Sequence, residues 1–149
     1  MSLTTYNPQK AETEGRTMRL AIPGMTDQRI YVKVLGDDAS LVEEYQQAAN
    51  KAHIEVYGPG DRTPEQLKDY LMGKFAVQVV AVRTDILKGK ETESVDMIEI
   101  AEDEWLPAGP DLARRIFEED MKFVYEQVFI FARNRANFLP NSAENLLLI

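Results

Sequence analysis

The chain has 149 residues, 44% of them apolar, with 17 Lys and Arg against 25 Asp and Glu, a net charge of -8 and no cysteine. That length suits one domain with a packed core, and the missing cysteine excludes disulfides, thiolate metal sites and cysteine nucleophiles. The acidic balance argues against a nucleic-acid-binding surface spread over the whole molecule, and a single histidine excludes multi-histidine metal centres.

Residues 1–17 are polar, with Pro8, Gly15 and scattered charge, and read as an arm, flexible or ordered by a partner. Met18 to Ile22 and Arg29 to Leu35 follow as strand candidates around the turn-rich Pro23–Gln28 link. Ile30, Val32 and Val34 alternate with Tyr31 and Lys33, the period of a strand with one buried face. The two predict an antiparallel hairpin, which needs further covering to be stable.

Ser40-Leu41-Val42-Glu43 matches a capping box, and Leu41, Tyr45, Ala48 and Ala52 predict the apolar face of the helix after it,. Gly58-Pro59-Gly60 ends that helix, and Thr63-Pro64-Glu65-Gln66 opens another with a second box,. Leu67, Leu71, Phe75, Val79, Val82 and Ile86 recur at steps of four and three. The unbroken stripe predicts one long helix over 64–88, although the β-branched run at 76–82 also suits a buried strand. Between Glu91 and Glu104 lie seven acids and no base, a loop with a short helix or strand leading to Trp105. Ala113, Phe117, Met121, Val124, Val128 and Phe131 then form a stripe from Asp111 towards Asn137, which predicts a third main helix ended by Pro140. The fold class expected is α+β, helix-dominated, with an N-terminal two-stranded β-hairpin followed by three main helices. Its division is an arm at 1–17, a single domain at 18–140 and an apolar tail at 141–149.

Chemistry is sparse in this pattern. The acidic stretch lacks the glycine and the alternating acids of a calcium loop, so it reads as a solvated face. His53 stands near a helix end with no nucleophile motif around it, so it is expected to meet a terminal carbonyl or water. Gly58-Pro59-Gly60-Asp61-Arg62 has no Gly-Lys-Ser/Thr ending and precedes a proline without an amide, so it is a turn and not a phosphate loop. Arg114, Arg115, Arg133 and Arg135 are too few for a nucleic-acid patch. No catalytic residue, metal site or cofactor is expected. No run of about 18 apolar residues occurs and no secretory signal opens the chain, so neither a membrane partner nor export is expected.

The last helix is apolar on more than one side, since Phe123, Tyr125, Phe129 and Ile130 add to its stripe. Such a helix is either central to its own domain or covered by another protein. Together with Leu146, Leu147 and Leu148 of the tail, these four residues are the candidate partner interface.

The order of features resembles a known family. Met18-Arg19-Leu20-Ala21-Ile22-Pro23-Gly24 leads to Arg29-Ile30-Tyr31-Val32-Lys33-Val34, then a helical middle, Trp105 before a proline-containing link, a helix from Phe117 to Arg135, and Arg135-Ala136-Asn137-Phe138-Leu139. This layout resembles the small tail assembly chaperones of long-tailed bacteriophages. The resemblance implies a non-enzymatic protein of the host cytoplasm that binds tape-measure, tail-tube or head–tail proteins; a second copy of the chain is a further candidate partner. The alternative it leaves is a permanent virion component: a tail-completion, connector or capsid-associated subunit.

Overall fold

A computed structural model describes residues 7–139. Its elements run α1 (Pro8–Glu14), β1 (Arg16–Arg19), β2 (Gln28–Val34), α2 (Ser40–Tyr57), α3 (Pro64–Gln78), β3 (Val79–Lys88), β4 (Glu91–Val95), β5 (Ile98–Ala101), β6 (Glu104–Leu106), α4 (Pro110–Glu118) and α5 (Lys122–Arg133), with a 3-10 turn at Arg135–Phe138. Helix accounts for 48% and strand for 25%, and the two interleave. The expected plan of one hairpin followed by three main helices is therefore overturned. An antiparallel sheet in the order β1-β2-β3-β4 and a separate β5–β6 hairpin carry the fold with the helices.

The main departure lies at residues 79–88. The helix expected over 64–88 stops at Gln78, and the chain turns directly into β3. Val79, Val80, Val82 and Thr84 lose little side-chain freedom on a pleated surface but are restricted in a helix. Their backbone is taken up by β2, where Val82 pairs with Val32, and from Thr84 onward by β4 as well, Thr84 facing Ile30 and Val95. The ladder shifts register at Lys33–Val34, where Val34 faces Val79 and Lys33 faces Ala81. This irregularity lets β3 bury Val79, Val82 and Thr84 at unequal steps, which mimics helical spacing in the sequence. Gly89, at φ 63, opens the two-residue turn into β4, the position where a tight hairpin favours glycine. The acidic stretch thus supplies three strands.

The helix expected from Asp111 onward is two helices. Asp120 adopts φ 50 between them. The Asp120 amide donates to Phe117 O at 3.2 Å and the Met121 amide to Ile116 O at 2.9 Å. That pair of bonds is a Schellman motif, which closes a helix through one left-handed residue.

One face of the sheet is covered. Met18 and Leu20, Ile30, Val32 and Val34, and Val82 pack with Phe75 of α3, Ile116 and Phe117 of α4, and Val124, Val128 and Ala132 of α5. The other face, bearing Arg19, Arg29, Lys33 and Arg83, lies open. Within the segment read as an arm, α1 places Ala11 and Glu12 in buried positions beside the 3-10 turn. The expected tail at 141–149 lies outside the described residues.

Candidate interaction surface

α2 and α3 form a helical hairpin. The box at Thr63 is present: Gln66 N donates to Thr63 Oγ1 at 3.3 Å, and Thr63 N donates to Gln66 Oε1 at 2.9 Å. The box expected at Ser40 is not, because the helix begins at Ser40 with Ala39 as its cap and no side-chain capping bond. The inward stripe of α2 is accordingly Val42, Tyr45, Ala49 and His53, one position from the expected one. Leu41, Ala48 and Ala52 are exposed.

The hairpin is held by polar and aromatic contacts more than by a core. Val42 is the buried residue of α2 and meets Leu35, Ala39 and Val77. Tyr45 donates its hydroxyl to Tyr70 O at 2.7 Å, with the two rings stacked 5.7 Å apart. Arg62 lies 4.1 Å above the Tyr70 ring and donates to Asn50 Oδ1 at 2.9 Å. Burial raises the pKa of both tyrosines, and the Arg62 guanidinium opposes the shift in each. Beyond these contacts α2 runs out to an apolar end, where Ile54 is 55%, Val56 71% and Tyr57 63% exposed. Tyr45, Ala52, His53, Val56, Arg62 and Tyr70 line an open groove of about 320 Å³ at this end. His53 lies 5.2 Å from the Tyr57 ring.

α5 presents a second apolar strip. Phe123 and Ile130 are 52% and 58% exposed and share a helix face,. Between them Gln127 bonds Ala21 in both directions, accepting from its amide at 2.7 Å and donating to its carbonyl at 2.9 Å. The side-chain amide thereby takes the place of a neighbouring strand at the exposed end of the β1 edge.

The structure divides the residues expected at the partner interface. Phe123 and Ile130 point outward. Tyr125 and Phe129 turn inward to an aromatic cluster, Tyr125 stacked on Phe117 at 4.4 Å and Phe129 edge-on to Phe75 at 6.3 Å. Leu146, Leu147 and Leu148 lie outside the described residues. The exposed end of α2 was missed by the sequence reading. Its signal was present in part: Ile54 falls off the stripe that contains Val42, Tyr45, Ala49 and His53, while Val56 continues that stripe to the end of the helix,.

Among the described residues no group of three or more His, Asp or Glu is placed to hold a metal ion, and no helix is long and apolar enough to cross a membrane. Further clefts lie along Arg19–Ile30 and between α3 and α4. No protein-family model matches this chain, and no curated protein and no solved structure matches it.

Proposed function

We propose that the chain is a non-enzymatic assembly protein of the tail-chaperone type, which holds other phage structural proteins by reversible apolar contact. The observation that carries this reading is the set Ile54, Val56, Tyr57, Phe123 and Ile130, each more than half exposed on a helix. Exposed apolar clusters of this kind mark surfaces that other polypeptides cover. Their magnitude favours release as well as capture. Covering the remaining exposed half of five such side chains contributes about 5–7 kcal/mol before the costs of association. That supports a client complex that can exchange. The net charge of -8 keeps such a protein dispersed while its apolar surface is free,.

The test is co-expression of the full chain with a tape-measure protein from a long-tailed phage. The parent chain is expected to keep the client soluble and to co-purify with it. Ile54→Asp with Tyr57→Asp, and separately Phe123→Asp with Ile130→Asp, are expected to lower the co-purified client at least tenfold with unchanged circular dichroism. Equal capture by parent and both variants sinks the proposal. Mass spectrometry of purified particles supplies the other arm: stoichiometric presence of the chain would replace the chaperone reading with that of a permanent virion subunit.

A further inference from the structure

The open face of the sheet concentrates positive charge in an acidic molecule. Strand alternation places Arg19, Arg29, Lys33 and Arg83 on this face, all exposed,. The register sets them around one residue. Tyr31 faces Arg19 on β1 and Arg83 on β3, while Arg29 and Lys33 flank it two positions away along β2. Neighbours across strands stand about 5 Å apart and those along a strand about 7 Å, so four cations share one small patch. Arg83 lies 4.4 Å above the Tyr31 ring and pairs with Asp85 at 3.2 Å. Arg19, Arg29 and Lys33 have no ion-pair partner among the described residues.

The same chain carries the complementary charge on its opposite side. Thr84, on the covered face of β3, donates to Met97 O at 2.7 Å, and Ile98 is buried in the core with α4. The β5–β6 hairpin therefore lies in the helical layer, away from the basic face. Asp96 in the link before it and Glu102 in its turn are exposed and unpaired among the described residues.

We propose that the basic outer face of the sheet docks the acidic β4–β5 link and β5–β6 turn of a second copy, head to tail. Because the two surfaces are different, the contact is heterologous, and repetition closes a ring or extends a filament. A nucleic-acid strand fits the patch less well. Tyr31, the aromatic residue at its centre, is 7% exposed beneath Arg83 and offers no face on which a base could stack,. The rest of the acidic chain repels a polyanion running past the patch. Between two copies, the net repulsion is screened beyond about 8 Å at physiological salt while charges in contact are not. The inference goes beyond the client-binding reading and uses none of its residues.

Sedimentation velocity tests it on the full chain. The parent is expected to form species larger than a monomer at about 0.15 M salt and to revert towards monomer at about 1 M. Arg29→Glu with Lys33→Glu, and Asp96→Lys with Glu102→Lys, are each expected to remain monomeric alone. Mixed in equal amounts, they are expected to associate again, as dimers or larger species, since one variant keeps the acidic side, the other the basic face, and the two reversed surfaces complement each other. If charge reversal disturbs folding, Arg29→Gln with Lys33→Gln serves in its place. A parent that stays monomeric up to its solubility limit overturns the proposal, as do a mixture that fails to associate and single variants that associate like the parent. So does a monomeric parent that binds a single-stranded oligonucleotide through Arg29 and Lys33.

Discussion

Gly73 is where α3 gives way to Tyr45. A Cβ there would stand 2.2 Å from the tyrosine oxygen and 2.7 Å from Cζ, closer than packed atoms tolerate. Alanine gains about 1 kcal/mol of helix propensity over glycine, yet the clash forces the Tyr45–Tyr70 stack apart. Gly73→Ala is therefore expected to lower stability by about 1–2 kcal/mol net in urea denaturation. A stabilised variant would mean that Tyr45 can move aside freely. Glu12 supplies the second residue-scale case. It is 1% exposed, and one of its carboxylate oxygens has no hydrogen-bond partner. Gly36 leaves the room it fills, since a Cβ at 36 would lie 2.1 Å from Glu12 Cγ. Burial is the largest influence on this carboxyl and raises its pKa above the usual 4.5; Arg135 opposes the shift, and Asp37 and Glu43 add to it. The folded state therefore holds the proton more tightly than the unfolded chain. Stability falls as pH rises from 4.5 through the higher folded value, because only the unfolded chain ionises at little cost there,. Glu12→Gln is expected to raise the melting temperature at pH 7 and to change it little at pH 4, below both values. An equal gain at both pH values would remove the ionisation argument.

At the scale of elements, the hairpin of β1 and β2, the turn at Gly58–Gly60 and the cap at Thr63 were legible because each rests on chemistry local to a few residues. Two boundaries were not. The end of α3 depends on β2 and β4 arriving to pair with β3, and a stripe with a register shift in it has the same spacing as a helix. The break before α5 depends on Asp120 taking a left-handed conformation that glycine adopts more readily. Nothing near it in the sequence signals a stop. The interface residues divide for the same reason: which of Tyr125 and Phe123 is covered depends on Phe117, which α4 brings across the break. Gln127 shows how such elements are joined. Its amide closes the β1 edge at Ala21, so Gln127→Ala frees one N–H and one C=O in a partly exposed place. A loss of about 1–2 kcal/mol is expected. Faster hydrogen exchange at the Ala21 amide, with the β2–β3 amides unchanged, would locate that loss at the edge. Uniformly faster exchange would instead show that the tie supports the whole sheet.

Across the whole molecule, apolar surface is divided between what folds the chain and what is left over. Phe75 is 2% exposed and touches Phe117 and Phe129, joining α3 to α4 and α5 beneath the sheet. Ile54, Val56 and Tyr57 are each more than half exposed at the end of α2, so removing them takes far less from the folded state. Phe75→Ala is expected to cost about 3–5 kcal/mol, the usual loss for a large core ring. Changing Ile54, Val56 and Tyr57 together to Ser is expected to cost about 1–2 kcal/mol, since helix propensity is nearly unchanged and only their partial burial is lost,. Chemical denaturation measures both. A binding surface must be dispensable to folding and costly to leave in water, and the second property is measurable too: the triple-Ser chain should bind less of an apolar fluorescent dye in its native state. If the triple variant unfolds as readily as Phe75→Ala, the end of α2 belongs to the chain's own architecture and is not held in reserve for a client.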